Sequence, residues 1–449
     1  MKYFLLCLIL LGTFPIFSET ETDSDTEVFT SLKEDRIRTL RYGIDDEVVE
    51  IITSIRNEKN DSYNDELLNI LIRTGNTKII LPILSFFEEQ ESDIAASYTL
   101  SVLKDAAEDY EVNENVLTAS ISYSGTIKNT DAVEYLYKLS TFNKPSIAAA
   151  AIRMLGKTGD TSFAEKFLER LQDDDYEDDE ADLRESAILL MGELQYKPAV
   201  PTLIDLVQDD SYSAMSRRFA CDSLGKIGDE EAIPVLKELL NDPDSILRSY
   251  VLTSLAYFDN DEIEEILIQS LRDSFWRIRV AACKALSERG SESAVEILIY
   301  KAEKDPEPNV KKAAMAALSV IGGNQAWDFL SGYFGDNKNS DVFRSAALKA
   351  LLEENASKAT DSIKTVFEEE WEKENSWLFN FTCKELSTTE SDSLEWFYSR
   401  MLDHKNYIIR IYAVRGIRLN NVISLYGRVK EISDNEDENR QLRKEASSL

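Results

Sequence analysis

The chain has 449 residues, of which 50 are basic and 83 are acidic, so its formal net charge is −33. This acidic excess argues against binding to nucleic acid, which draws on clusters of Lys and Arg, and against adsorption to anionic lipid. With 43% hydrophobic residues the chain can bury a continuous core, and its charge favours cationic or weakly charged partners.

The N-terminal segment has the layout of a signal peptide. Lys2 supplies a short positive start, residues 3–17 are mostly apolar, and Ser18 is a small residue immediately before an acidic stretch. The apolar run is shorter than the roughly 20 residues that a membrane-spanning helix needs. We therefore expect a signal peptide over residues 1–18, a disordered acidic N-terminus over 19–30, and an exported bacterial protein that is periplasmic or secreted, with no membrane span in its mature chain.

A pattern that we call the frame recurs about every 33 residues: a basic residue at position 0, a small residue at +3, and apolar residues at +4 and +7. This spacing marks one stripe of an α-helix, and a stripe that returns at a fixed period predicts stacked helical repeats. The basic residues at position 0 are Arg184, Arg217, Arg248, Arg279, Lys311 and Arg344.

The frame extends beyond these copies, which divides the chain into three parts. Upstream it fits at Ala148 without the basic residue, at Asp93, loosely at Asn64, and poorly at Leu117. Downstream it starts at Phe379, Arg410 and Arg443. We expect divergent helical repeats over 31–144, regular repeats over 145–352, and divergent aromatic-rich repeats over 353–449.

Each repeat also contains a first helix before the frame helix, which is the second. Residues 232–240 (Ala-Ile-Pro-Val-Leu-Lys-Glu-Leu-Leu) are a clear copy, followed by a turn that contains Asp242 and Asp244. Gly228 and Asp229 precede it. This pair predicts a helix boundary, because Gly commonly ends a helix and Asp can cap the next one. Repeat by repeat the order is helix, Asp turn, helix, Gly.

These features resemble the HEAT-repeat family, specifically the short HEAT-like repeats first associated with phycobilisome lyases. The resemblance is carried by the Asp turn, the Arg at the start of the second helix, and the Ala-x-x-x-Leu-Gly run at residues 220–225, and it is strongest over 145–352. It implies an all-α fold, an α-solenoid of stacked helix-turn-helix units. The Trp-Leu-Gly-Tyr motif of tetratricopeptide repeats and the Thr-Pro-Leu-His motif of ankyrin repeats are absent from the sequence.

The basic column at position 0 has two interpretations. It could form a cationic binding track, or each residue could pair with the Asp of its own or a neighbouring turn, such as Asp242, Asp273 or Asp305. We favour the second, because HEAT repeats are known for this Asp–Arg pattern, acids outnumber bases, and a planar guanidinium suits two-point pairing with a carboxylate.

Other candidate features have simpler explanations. The acidic run at residues 173–180 is conceivable as a calcium site but lacks the alternation of an EF-hand loop, so a solvated loop is favoured. The late aromatic residues, among them Trp371, Trp377 and Phe379, are expected in a bulky core, whereas Trp276 is a candidate partner contact. We expect buried, unbridged thiols at Cys221, Cys283 and Cys383.

The sequence gives little support for catalysis. His404 is the only histidine, and there is no CxxC pair or phosphate-binding loop. We therefore predict no catalytic residue, no cofactor, no metal site and no enzyme, but an exported scaffold or adaptor that binds a protein or peptide. Its contacts would come from frame positions +1, +2, +5 and +6 of successive second helices. Two alternatives stay open: a bilin-lyase-like enzyme, implied by the resemblance, and an acidic envelope protein that takes cationic or metal ligands.

Overall fold

A computed structural model describes residues 23–173, 181–373 and 376–448. Within these ranges the regular structure is helical, with 25 α-helices and short 3-10 turns. The N-terminal helices are α1 (Asp23–Tyr42), α2 (Asp45–Glu58), α3 (Asn64–Leu71), α4 (Thr77–Glu89), α5 (Ala96–Ala107), α6 (Glu114–Thr126), α7 (Val133–Leu139), α8 (Pro145–Thr158), α9 (Ala164–Leu171) and α10 (Ala181–Glu193).

The remaining helices continue the alternation of first and second helices. They are α11 (Val200–Gln208), α12 (Ala214–Ile227), α13 (Ile233–Leu239), α14 (Ser245–Leu255), α15 (Asp261–Ser270), α16 (Trp276–Glu288), α17 (Val295–Lys304), α18 (Pro308–Ile321), α19 (Gly323–Gly335), α20 (Asp341–Glu370), α21 (Trp377–Leu386), α22 (Glu395–Leu402), α23 (Tyr407–Leu419), α24 (Tyr426–Asp434) and α25 (Arg440–Ala446). Extended backbone at Asn355 (φ −164°, ψ 94°) divides α20 into a second helix and the first helix of the next repeat.

The described residues form two compact units. Unit 1 contains residues 23–165 and 181–190, and unit 2 contains 166–173, 191–373 and 376–448. In unit 1, α4 contacts both α2 and α6, and α6 contacts α8. In unit 2, α12, α14, α16, α18, α20, α21, α23 and α25 contact one another in succession. This stacking of second helices confirms the predicted all-α solenoid of helix-turn-helix repeats.

The frame marks the core of unit 2. Every +3 and +4 residue of the five copies that start between Arg217 and Arg344 is fully buried: Ala220, Cys221, Val251, Leu252, Ala282, Cys283, Ala314, Met315, Ala347 and Leu348. Removing side chains of this kind from water is the main stabilising term of such a repeat, about 1.5–3 kcal/mol for each of the larger ones.

In unit 1 two predicted copies of the frame, at Asn64 and Asp93, fall on the wrong helix of the repeat. Asn64 begins α3 and Asp93 precedes α5, and both are first helices. The second helices instead follow the frame at Val48, Ile80 and Leu117, so the fit described as poor was the correct one. First helices are amphipathic too, and an apolar stripe alone does not distinguish the two helices of a repeat.

The Leu-Gly run allows successive second helices to approach closely. A Cβ atom added at Gly225 would lie 2.7 Å from Cα of Ser254 on the next second helix, and one added at Gly192 would lie 2.8 Å from Cα of Ser223. Ser254 Oγ also donates a hydrogen bond to the carbonyl oxygen of Cys221 at 2.6 Å. The glycine at frame position +8 is therefore a contact surface between repeats.

The helix ends follow the sequence pattern. Gly228 ends α12 with a left-handed backbone (φ 67°), and the side chain of Asp229 accepts a hydrogen bond from the amide of Glu231.

Of the late aromatic residues, Phe379, Phe397 and Tyr398 are buried in the core, and the rings of Phe379 and Phe397 both contact that of Phe367. Trp371, Phe381 and Trp396 are half-buried. Among the described helices, none is both long and apolar enough to cross a lipid bilayer.

Candidate binding groove on the second helices

The frame arginines of unit 2 lie in the junctions between repeats. Arg217 Nε donates to the carbonyl oxygen of Val207 at the end of its own first helix (3.0 Å), and Nη2 lies 3.1 Å from Oδ2 of Asp242 in the next repeat. Arg248 repeats this arrangement, with Nη1 donating to the carbonyl oxygen of Asp242 (2.8 Å) and Nη2 lying 3.5 Å from Oδ1 of Asp273. One guanidinium thus joins two adjacent repeats.

The Arg279 junction is the most completely paired of the three. Its Nη1 donates to the carbonyl oxygen of Asp273 at 2.9 Å, while Nε and Nη2 reach Oδ2 and Oδ1 of Asp305 at 2.8 and 2.7 Å. Burial works to raise the pKa of the Asp305 carboxyl. Hydrogen bonds from Arg279, the amide of Glu307 and Lys301 outweigh it, and the pKa lies below its ordinary value.

The other basic residues at frame position 0 also contact neighbouring turns and helix ends, with different partners. Arg344 Nε donates to the carbonyl oxygen of Phe334 (2.9 Å), and its Nη1 lies 3.8 Å from Glu370. Lys311 Nζ donates to the carbonyl oxygen of Glu303 at 2.8 Å. Arg184 occupies the equivalent position of α10 and also interacts with other residues. The geometry in unit 2 is that of internal bracing, with the charges turned toward repeat junctions.

The opposite side of the second helices in unit 2 carries a groove. Its volume is about 460 Å³, and it crosses three successive second helices: α18, α20 and α21. The lining residues are Lys312, Ala316, Val342, Ser345, Ala346, Lys349, Ala350, Glu353, Trp377 and Phe381. Those on α18 and α20 include frame positions +1, +2, +5 and +6, the positions that the sequence indicated as contact positions.

Small residues and an aromatic pair shape this groove. Ala316, Ala346 and Ala350 form its apolar base. The rings of Trp377 and Phe381 stack with a centroid distance of 5.3 Å and an interplanar angle of 26°, although Trp377 is 51% exposed. An exposed tryptophan beside an apolar recess is typical of a protein interaction site.

Two tryptophans drew different predictions from the sequence, Trp276 as a candidate partner contact and Trp377 as a core residue. Trp276 is half-buried in the first turn of α16, with the guanidinium of Arg277 5.1 Å from its ring centroid. Trp377, which we expected in the core, is exposed instead. The physical reason is its frame position, −2, which faces away from the neighbouring helices. Other large apolar residues at position −2 are exposed as well, namely Met215, Ile246, Val342 and Ile408, and this register was the signal that sequence reasoning missed.

The cysteines and the histidine considered as candidates are packed against neighbouring residues. Cys221, Cys283 and Cys383 are buried and unbridged, and burial raises the pKa of the first two thiols to about 12. His404 Nδ1 accepts a hydrogen bond from the amide of Asn406 before α23, and its ring packs edge-on against Trp371.

The acidic run at 173–180 lies outside the described residues, except for Asp173. In the part of the chain that is described, no group of three His, Cys, Asp or Glu side chains has a metal-binding arrangement.

Repeated helix pairs, Arg–Asp junctions and glycine contacts between second helices define a HEAT-repeat protein. The chain belongs to the family described as "Spirochaete HEAT repeat protein", whose model matches residues 40–449. The resemblance stated from the sequence is thereby confirmed.

Three individual likenesses accompany the family match. Deoxyhypusine hydroxylase of Aspergillus clavatus is 31% identical over 125 residues, which cover 27% of this chain and 37% of that protein. The CpcE–CpcF complex of phycocyanin lyase from Nostoc sp. is 22% identical, covering 52% of this chain and 92% of that one, with a TM-score of 0.35. Kap121p is 12% identical, covering 95% and 54%, with a TM-score of 0.42. With TM-scores below 0.5, these two structural likenesses carry no argument about function.

The expectation that this chain is not an enzyme is contradicted by the comparison. The matched relatives bear the name of an enzyme, deoxyhypusine hydroxylase. The match spans only 37% of the length of the Aspergillus relative. The hydroxylase activity is therefore a property of that relative and is not assigned to this chain.

Proposed function

We propose that this protein is an exported scaffold or adaptor that binds another protein or a peptide in the groove on α18, α20 and α21. The observation that carries the proposal is the stacked pair of the exposed Trp377 and the half-buried Phe381 beside an alanine-lined recess. Interfaces draw much of their binding energy from a few aromatic anchors in such recesses.

The repeat architecture supports this role in a second way. The groove helices are braced by the Arg279–Asp305 pair immediately before α18 and by the Arg344–Glu370 pair between the two parts of α20, and helical geometry turns frame position 0 away from the groove positions. A binding surface built on braced helices loses little conformational entropy when a partner arrives. The groove residues themselves are then available for contacts.

Site-specific photocrosslinking tests the proposed binding surface. A photoreactive amino acid is placed at Trp377 or Lys349 in the groove, and at Tyr300, which is 60% exposed on the first helix α17, as the matched control. In the native host we expect adducts of the same mass from both groove positions and none from the control. Equal adducts from all three positions, or none from the groove, would contradict the proposal.

A second measurement gives the magnitude of the aromatic contribution. Once a partner is identified by crosslinking, Trp377→Ala is expected to weaken its binding at least about tenfold, as is common for a central aromatic anchor. Tyr300→Ala removes an aromatic ring of similar exposure from the other helix layer and is expected to leave the affinity unchanged.

Export forms the other half of the proposal and is supported by the charge and hydropathy of residues 1–18. Mass spectrometry of the protein isolated from fractionated cells tests it. We expect a mature chain that begins at Glu19 in the periplasmic or secreted fraction. An N-terminal peptide containing Met1 on protein confined to the cytosolic fraction would show that export does not occur.

A further inference from the structure

The groove differs in charge from the rest of the chain. We consider the outward stripe of the second helices α16, α18, α20 and α21 and of the turn after α21, which consists of frame positions −2, +1, +2, +5 and +9. Position +6 is left out because Ala285, Ala317 and Ala350 are buried there and Glu385 is half-buried. The twenty residues of the stripe are Arg277, Val280, Ala281, Lys284, Glu288, Asn309, Lys312, Ala313, Ala316, Val320, Val342, Ser345, Ala346, Lys349, Glu353, Trp377, Asn380, Phe381, Lys384 and Thr388. Five are basic and two are acidic, whereas the whole chain carries a net charge of −33.

The two acidic residues of the stripe neutralise it only weakly. Glu353 lies 3.7 Å from Lys349 and Glu288 lies 3.6 Å from Lys284, and all four side chains are more than half exposed. Exposed pairs at this spacing on a helix are worth only about 0.3–0.5 kcal/mol and exchange readily for other partners. Lys312 and Lys349, which border the groove, are therefore accessible to a carboxylate from outside.

Apolar and cationic contacts lie side by side in this site. The groove of about 460 Å³ falls in the range of roughly 300–1,000 Å³ that is typical of ligand pockets. Trp377, Phe381 and Val342 offer apolar surface, and Lys312 and Lys349 lie at its border. A ligand that uses both must combine a bulky apolar group with negative charge.

We propose that the partner segment is an acidic peptide with a large apolar side chain. The apolar side chain packs against Trp377, Phe381 and the alanine base, and flanking carboxylates contact Lys312 and Lys349. This inference rests on the proposed function and names the chemistry of its partner. It differs from the expectation, drawn from total charge, that partners are cationic or weakly charged.

Electrostatics favour this occupant over a basic or a polyanionic one. A basic segment would bring like charges next to Lys312 and Lys349, which costs affinity. Nucleic acid or an anionic membrane presents charge over a much larger area than this stripe, and the acidic remainder of the chain repels it. A short acidic segment fits the extent of the positive surface, so its carboxylates can contact Lys312 and Lys349 while little of it lies over the acidic remainder of the chain.

Selection from a displayed library of random peptides tests the inference on the mature full-length chain. We expect selected peptides to be enriched in Asp, Glu and large apolar residues and depleted in Lys and Arg. Representative synthetic peptides should bind at least tenfold more weakly to the double variant K312E/K349E and to Trp377→Ala. The difference in affinity between wild type and K312E/K349E should also shrink as salt concentration rises, because salt screens the lysine contacts.

A charge-matched control separates the groove from total charge. The variant K304E/K430E introduces the same change on the first helices α17 and α24, where both lysines are exposed, and it should bind the peptides within twofold of wild type. Circular dichroism melting of all variants checks that each one folds.

The outcomes distinguish the two proposals. Selected peptides that are basic or carry no charge preference, while crosslinks from the groove persist, overturn the acidic-partner inference and leave the binding function standing. No selected peptide together with no groove crosslink overturns both. Binding of a single-stranded oligonucleotide or of anionic vesicles that K312E/K349E abolishes, without selection of acidic peptides, also overturns the inference.

Discussion

Arg279 and Asp305 form a two-point ion pair across the junction between successive repeats, although they are 26 residues apart in sequence. The side chain of Asp305 is fully buried and that of Arg279 is 8% exposed. Lys301 Nζ lies 3.3 Å from the same carboxylate. Two cations therefore share one buried carboxylate, which makes this junction more enclosed than the Arg248–Asp273 junction, whose side chains are 15% and 22% exposed.

Removing the charge of Asp305 should destabilise unit 2 strongly. Asp305→Asn keeps the shape of the side chain but leaves the buried guanidinium of Arg279 without its anion, a change that costs about 3–5 kcal/mol. Urea unfolding measures the total loss. Since repeat arrays can unfold in parts, hydrogen exchange of α16 and α18 amides should show whether the loss is local.

Asp273→Asn is the matched control for that substitution. Asp273 has the same turn position but meets Arg248 at 3.5 Å in a more exposed junction, and the asparagine can still accept the hydrogen bond from the amide of Phe275. We expect a cost of at most about 1 kcal/mol. Equal losses of stability for the two substitutions would show that the burial of the ion pair does not determine its contribution.

The pH dependence of stability should carry the signature of the same carboxylate. Because the pKa of Asp305 is depressed in the folded protein, the unfolded chain takes up a proton first as pH falls below about 4. The stabilisation is therefore fully present above the unfolded pKa and is lost as pH falls through the folded one. In urea titrations, the stability difference between wild type and Asp305→Asn should be constant from pH 5 to 7 and shrink below pH 4. A constant difference down to pH 2 would argue against the depressed pKa.

The fold was largely predictable because one helical stripe recurs with little drift. The residues at position 0 were expected to pair with the Asp residues of the turns. Those at +3, +4 and +7 were expected in the core, where Val251, Leu252 and Leu255 are fully buried. The register failed at Asn64 and Asp93 because first helices carry a similar apolar stripe. There, only contacts between helices reveal which of the two stacks in the second-helix layer.

The groove was predictable only in part. Lys312, Ser345, Ala346 and Lys349 occupy frame positions +1, +2 and +5 and line the groove, because helical geometry turns these positions away from the core. That they contact a partner stays a prediction. Trp377 was assigned to the core because bulky aromatic residues usually are buried. Its exposure depends on position −2 relative to Phe379, which becomes meaningful only when several copies are compared.

Substituting the glycine at frame position +8 should disturb the packing of successive second helices. Gly225→Ala would place a methyl group 2.7 Å from Cα of Ser254, and the backbone there must shift to accommodate it. We expect a loss of about 1–3 kcal/mol in urea unfolding. Gly332→Ala on α19 is the control, because nothing lies within 4 Å of its added Cβ atom, and it should stabilise the protein by about 0.5–1 kcal/mol through helix propensity. Two losses of similar size would show that the close approach is not the cause.

The alkylation rates of the buried cysteines can report local opening near the Arg279–Asp305 junction. The pKa of Cys283 is raised to about 12 by burial, so at pH 8 its thiolate fraction is about a thousandfold below that of an exposed cysteine. In the mature chain we expect alkylation of Cys221, Cys283 and Cys383 to be slow under native conditions and complete in urea.

Loss of the Arg279–Asp305 pair should raise the alkylation rate of a nearby cysteine more than that of a distant one. Cys283 lies on α16 four residues after Arg279, whereas Cys383 lies on α21, several repeats away. If Asp305→Asn frees the α16–α18 junction to open locally, it should accelerate alkylation of Cys283 at least tenfold more than that of Cys383, measured by mass spectrometry of tryptic peptides. Equal acceleration at both thiols would mean that unit 2 opens as a whole. The pair would then stabilise the entire array, with no preferential effect on its own junction.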